Sequence, residues 1–230
     1  MSQPLVIVGA GGYAQEVLWV LDDLNAVNPV WDFLGFIDPG HPEKVGQMHY
    51  DRPILGGYET VKRLPGGTQF VCGIGSARLR RKECDAIEAQ GLAACPALIH
   101  PSVILARHVE IGAGTILGAG SIVAPNARVG RHCALNLHVT VGHDSHIGDY
   151  CVLSPGARVS GHAVIEDGVF VGSNATIYLG RRVGSGASVG ANSFLLTDLR
   201  PGLSAIGIPA RSFAQATEAG TCAVRELRQQ

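Results

Sequence analysis

Val103–Asp198 reads VILARH VEIGAG TILGAG SIVAPN ARVGRH CALNLH VTVGHD SHIGDY CVLSPG ARVSGH AVIEDG VFVGSN ATIYLG RRVGSG ASVGAN SFLLTD, sixteen six-residue blocks without an insertion. The third residue of every block is Leu, Ile or Val, and the first is small or β-branched in all but the block starting at Arg181. An α-helix cannot hold a strict period of six, because about 3.6 residues per turn would sweep the apolar stripe around its surface. A solenoid with short flat faces can. Each block supplies one face, the aliphatic residue points inward, and three faces close a coil of eighteen residues. Stacked coils then bury a continuous aliphatic core that no single coil could bury alone. The expected fold is a left-handed parallel β-helix, an exception to the usual right-handed crossover.

Working outward, the 230 residues suffice for one large or two modest domains. The division expected is 1–98, 99–213 and a C-terminal tail at 214–230. Net charge is −1 with no basic run, which argues against a nucleic-acid partner. Apolar stretches are strand-sized and none approaches a membrane span. The N-terminus lacks the basic n-region and cleavage site of a secretory signal. These features read as a cytoplasmic protein. The six cysteines show no CxxC and no zinc spacing. Cys133 and Cys151 are one coil apart at the small-residue position, where reduced core fillers are expected.

Residues 1–98 lack the hexad period. Leu5–Val8 is a β-type run, followed by the Gly9–Ala14 turn and a helical pattern through Glu16, Val17, Leu18, Val20 and Leu21. Phe33–Ile37 and Gln69–Cys72 read as further strands, and Arg78–Gln90 as a polar-faced helix. Alternating strands and helices predict a small Rossmann-like α/β domain. Gly9-x-Gly11-x-x-Ala14 fits a nucleotide-binding fingerprint in its Ala-terminated form. Its glycines let a ligand approach the backbone, and the helix N-terminus offers free N–H groups to phosphate. Asp38, ending the second strand, can accept hydrogen bonds from a ribose or base.

Seven of the nine histidines fall between His100 and His162, which places the candidate acid–base chemistry on the solenoid. Stacking every eighteen residues gives a column His108, Asn126, Asp144, His162 and another Pro125, His143, Gly161, Leu179. In VGHDSHIGD the Asp144 carboxylate follows His143 at once, and can orient the ring of a general base. His108, His132 and His162 all hold the sixth block position and read as polar turn residues. Two other readings stand beside this one. Zinc could be held across a subunit interface, as in the γ-class carbonic anhydrases, with His138 and His143 as two ligands; the third position, however, is Ser102. A nucleotide-sugar-binding scaffold would keep the fold without needing His143.

Four motifs taken in order carry a family resemblance: VGAGGYAQEV at Val8–Val17, GFID at Gly35–Asp38, VTVGHDSHIGDY at Val139–Tyr150 and GIPAR at Gly207–Arg211. Together they resemble the sugar O-/N-acyltransferases of the sialic acid O-acetyltransferase and bacillosamine N-acetyltransferase type. The resemblance implies acetyl-CoA as donor and a nucleotide-linked sugar as acceptor, in surface-glycan biosynthesis. It also implies a homotrimer with active sites between neighbouring solenoids. By motif match His143 is implied as the base, Asp144 as its orienting carboxylate and the Gly161 N–H as oxyanion donor. Gly161, Ser173 and Ala191 are implied at the coenzyme A groove. Gly11, Gly12, Asp38, Gly57, Ser76 and Arg80 are implied at the nucleotide-sugar site. An amino sugar is the expected acceptor, with a hydroxyl as the alternative. Some members carry a second histidine nine residues after the base; here that residue is Val152.

Overall fold

Each hexad forms one side of a three-sided coil in the computed structural model, which describes residues 2–214. The second and third residues of each block make a two-residue strand, from Ile104–Leu105 to Phe194–Leu195. Every such strand pairs in parallel with its counterpart one coil away, as Ile104 with Ile122 and Val159 with Ile177. The strands stack into three parallel sheets, the faces of a prism. The first face runs from Leu98–Ile99 through Ala134–Leu135 to Ser188–Val189, and an antiparallel hairpin of Leu203–Gly207 and Ala210–Ala214 extends it. The second runs from Ile104–Leu105 to Phe194–Leu195, and the third from Glu110–Ile111 to Arg182–Val183.

The third-position aliphatics are at most 4% exposed from Leu117 to Leu195, so they form one continuous core. Leu105, in the first coil, is 41% exposed, because no complete coil covers that end. The sixth residue of each block from His108 to Asn192 has a positive φ, between 53° and 71°. That left-handed corner favours Gly, Asn, Asp and His, which is why histidines collect there. Buried hydroxyls at the first position tie coils together. Thr115 Oγ1 donates to the Gly130 carbonyl (2.7 Å) and accepts from the Cys133 N–H (2.9 Å). Cys133 and Cys151 are buried free thiols whose sulfurs donate to the Gly148 and Glu166 carbonyls. Cys222 and the expected tail beyond residue 214 lie outside the described residues.

The N-terminal region is an α/β unit: β1 (Gln3–Val8), α1 (Gly12–Val27), β2 (Trp31–Ile37), β3 (Met48–His49), β4 (Arg52–Gly56), β5 (Gln69–Cys72), α2 (Ala77–Ala89) and β6 (Ala93–Ala94). Strand order is β3-β4-β2-β1-β5-β6, parallel except for the β3–β4 hairpin. Leu5–Val8 in the centre are fully buried. The β3–β4 hairpin is absent from the sequence reading, because its turn residues Tyr50 and Asp51 adopt positive φ without the usual glycine or asparagine.

Both helices dock on the first face of the prism. Ala77 of α2 packs on Ala134 and Val152. On α2, Glu88 pairs with Arg131 (2.5 Å) and His132 (3.1 Å), and Asp85 accepts from the Tyr150 hydroxyl (2.8 Å). On α1, Asp23 meets His100 Nε2 at 2.8 Å, and Trp19 lies edge-on to the same ring. Among the described residues, no helix is long and apolar enough to cross a membrane.

Candidate active site

The chemistry-bearing residues fall into two clusters, one in each structural unit. The first lines a cleft of about 370 Å³ at the carboxyl ends of β1, β2 and β5. Gly9 takes a φ of +94°, and a Cβ there would come within 2.7 Å of Ile74, so the turn needs glycine. Cβ atoms on Gly11 and Gly12 would meet nothing within 4 Å. Gly11 caps α1 without a side-chain hydrogen bond, which leaves the helix N-terminal amides open to an anion. Asp38, 6% exposed, faces the same cleft, and both its oxygens lie 3.0–3.1 Å from His41 Nδ1. Lys44 and Lys82 add positive charge to the walls. Glu83 accepts from the Tyr58 hydroxyl at 2.5 Å and pairs with Lys82 at 3.2 Å. Burial, then the Glu83 carboxylate, push the Tyr58 hydroxyl up to about 12. His41, Lys44, Lys82 and Glu83 are absent from the sequence reading; only the three-residue spacing of Asp38 and His41 hinted at one of them.

Three further expected contacts part company with this cleft. Ser76 caps α2, accepting from the Leu79 N–H. It faces a second cleft of about 770 Å³ between α2 and the β-helix, lined also by Arg78, Arg81, Phe170 and Ser185. Gly75 borders both clefts and joins them. Gly57 lies outside both, its N–H donating to the Glu59 carboxylate (2.8 Å). That bond holds the Glu59 carboxyl below its ordinary value. Arg80 requires a correction. It is fully buried, and its guanidinium donates to the Ile74, Cys72 and His132 carbonyls at 3.0, 2.9 and 3.2 Å. Being fully buried, it presents no donor to a ligand at the surface; Arg80 ties β5 and α2 to the β-helix.

The second cluster occupies the prism corner between the second and third faces. His143 Nδ1 lies 2.8 Å from Asp144 Oδ2, and the other Asp144 oxygen accepts from Asn126 Nδ2 at 3.0 Å. The His143 hydrogen bond, then that from Asn126, hold the Asp144 carboxyl below its ordinary value. An ionised carboxylate facing Nδ1 requires the proton on that nitrogen, so the Nε2 lone pair is free. Nε2 faces Gly161 on the next coil, where a Cβ would come within 2.7 Å of it. The Gly161 N–H donates to no other described residue. His162 completes the corner, its ring edge-on to His143 (centroids 4.9 Å apart) and its Nε2 4.0 Å from Asp144 Oδ2. Its turn position was legible from the column, whereas its contact with Asp144 was not.

Ser173 and Ala191 occupy the corner between the first and second faces, with the second face separating them from Gly161. His138 shares that corner, away from His143. The Ser102 hydroxyl is taken up by His100 Nδ1 (2.8 Å) and the Gly120 N–H (2.9 Å). Val152, nine residues after His143, is buried against Ala77.

The comparisons agree with this two-part construction. Residues 4–87 match the PglD N-terminal domain, and residues 162–197 match the hexapeptide repeat of succinyl-transferase. No curated protein matches the sequence significantly. Among solved structures, the acetyltransferase domain of PglB from Neisseria gonorrhoeae in complex with acetyl coenzyme A is 25% identical, with TM-score 0.81, covering 93% of this chain and 100% of that one. PerB from Caulobacter crescentus, in complex with CoA and GDP-perosamine, is 26% identical with TM-score 0.83, over 92% and 97%. WeeI from Acinetobacter baumannii is 25% identical with TM-score 0.82, over 91% and 99%. The chain thus joins a PglD-type N-terminal domain to hexapeptide repeats, and over more than nine-tenths of its length it is similar to solved acetyltransferases.

Proposed function

We propose that the protein transfers an acetyl group from acetyl-CoA to the amino group of a nucleotide-linked amino sugar, for assembly of a surface glycan. The observation that carries the reading is the His143–Asp144 pair, with Nε2 facing the space left by Gly161. In this mechanism the amine nitrogen attacks the thioester carbonyl while Nε2 takes its proton. Asp144 balances the imidazolium charge. The Gly161 N–H stabilises the tetrahedral oxyanion, and the thiolate leaves with the proton held by His143. Among the described residues the cysteines are all buried, which favours direct transfer over an acyl-enzyme.

The nucleotide occupies the N-terminal cleft, its phosphates at the α1 N-terminus and lysines, its ribose or base at Asp38. The sugar passes Gly75 toward Ser76. Coenzyme A lies along the second face between Gly161 and the Ser173–Ala191 corner. Both co-substrates are charged and do not cross membranes, so this reading places the enzyme in the cytoplasm. On this reading the site is shared between chains, a view supported by the docking of the N-terminal unit on the first face while His143 projects from the opposite corner. A homotrimer would bring one protomer's cleft to its neighbour's His143. The exposed Ile104, Ile122, Tyr178, Leu179 and Leu196 along the second face suit such a contact.

The test is thiol release from acetyl-CoA with a panel of nucleotide-linked 3-amino and 4-amino sugars. Turnover on one sugar, reduced about 10²–10⁴-fold in His143→Ala, is the expected result. Turnover only on hydroxyl acceptors makes the enzyme an O-acetyltransferase, and full activity in His143→Ala removes the base. Mixing tests the shared site. Gly11→Phe fills the cleft without backbone strain, and His143→Ala lacks the base. Random assortment of these two inactive variants leaves about a quarter of the inter-subunit sites intact. A mixture with no activity places each site within one chain.

A further inference from the structure

We infer that His143, Asp144 and His162 form a reversible inhibitory site for a divalent transition metal, zinc in particular. The three side chains present two imidazole nitrogens and a carboxylate, all within 4.8 Å of one another. This donor set suits zinc and its neighbours rather than magnesium or calcium. A tetrahedral zinc with ligands at about 2.0–2.1 Å requires them about 3.3 Å apart. The His143–Asp144 separation is 2.8 Å and the Asp144–His162 separation 4.0 Å. The first must open and the second close by less than about 1 Å, and the two imidazole nitrogens, within 4.8 Å of each other, must close by up to about 1.5 Å, which rotation of three exposed side chains can supply.

The backbone holds the set in place. Asp144 N–H donates to the Pro125 carbonyl (3.0 Å) and His162 N–H to the His143 carbonyl (2.9 Å), which stacks the coils in register. Asn126 holds the carboxylate from its far side, as outer-shell partners of metal ligands do. The position is open to water, leaving room for a fourth ligand.

Inhibition follows from proton placement and rests on the reading of His143 as base. Metal entering between Nδ1 and Asp144 displaces the ring proton from Nδ1 to Nε2, with no net proton loss from the ring. Nε2 then carries a hydrogen and cannot accept one from the acceptor amine. His162 carries no proton in the proposed transfer, so binding measured by chelator competition reads its role as a ligand independently of turnover.

The experiment uses untagged full-length protein without co-substrates, in a Cys222→Ser background that removes one competing thiol. Zinc is titrated against a chromophoric chelator, and thiol release is then assayed at matched free zinc. The expected result is one equivalent bound per chain in the micromolar range, with parallel loss of activity. His162→Asn keeps a residue that tolerates the left-handed corner. It should weaken binding and inhibition together by at least about tenfold, since losing only an outer-shell partner already costs that much. Its own metal-free turnover is the baseline against which its inhibition is scored. Failure to bind zinc, or unchanged binding in His162→Asn, overturns the site. Binding as expected with activity untouched overturns its inhibitory role and locates the error in the His143 assignment.

Discussion

Gly161→Ala tests the geometry of the base more sharply than removal of the base itself. The backbone at Gly161 lies outside the left-handed region, and other coils carry Ala or Ser at the same block position, as at Ala113, Ala119 and Ser173. A methyl group therefore fits the fold. It would lie 2.7 Å from Nε2, 2.8 Å from Cε1 and 3.1 Å from Cδ2 of His143, where ordinary contact begins near 3.4 Å. The ring must withdraw by about 0.7 Å, and it swings against its 2.8 Å bond to Asp144. The methyl also occupies the space into which the acceptor nitrogen must come. A misplacement of about 1 Å at the reacting centre costs about 10²-fold in rate, so kcat/KM should fall by about that factor. The midpoint of thermal unfolding should move by no more than about 2 °C, since the ring is exposed and can yield. The assay is thiol release at saturating acetyl-CoA, with circular dichroism as the folding control. The part of the loss that acts through His143 disappears once the ring is gone, so Gly161→Ala should cost less in a His143→Ala background than in wild type. Activity within about threefold of wild type, or a fully additive double variant, would refute the account.

Two further expectations concern the interface between the units. Arg80→Met removes donors from three buried carbonyls and, at about 1–3 kcal/mol for each unsatisfied group, should cost at least about 3 kcal/mol, lowering the unfolding midpoint by roughly 10 °C; a change in substrate affinity at unaltered stability would instead put Arg80 back in the binding site. His132 is fully buried between the Phe70 and Tyr150 rings, and burial lowers its pKa from the ordinary 6.5. Below 6.5 the unfolded chain binds a proton that the folded chain resists, so this contribution to stability is present above that pH and lost as pH falls through the depressed folded value. Denaturant titrations at pH 7.5 and 5.5 should show the folded state weakening at the lower pH. His132→Asn should flatten that dependence, and an unchanged slope would refute it.

The β-helix was legible because one register assigns every position at once: strand at two and three, core at three, left-handed corner at six. Any shift by one residue would put polar corners into the core, so the pattern admits a single reading. Gly11, Gly12 and Asp38 were legible for a related reason, since the backbone alone decides where a strand end and a helix start must lie. Arg80, Gly57 and His162 show where that logic stops. Arg80 lies in a polar helix stretch and reads as available, yet one of its three acceptors is the carbonyl of His132, 52 residues away across the domain interface. Only the docked structure shows that its guanidinium is buried against those carbonyls. Gly57 reads as a ligand-facing glycine, but a carboxylate two residues along occupies its amide. His162 fell in a column that stacking predicts, while the direction of its ring depends on Gly161 leaving the corner open. The last gap is larger than a side chain. Hexad register places His143 at a corner, and the fingerprint places the nucleotide at a strand end, but neither contains the docking of one unit on the other. That docking, through Glu88, Asp85 and Asp23, puts cleft and base on opposite sides of one protomer. If both serve one reaction, the catalytic unit is the contact between two copies of the chain, and periodicity within one copy carries no trace of it.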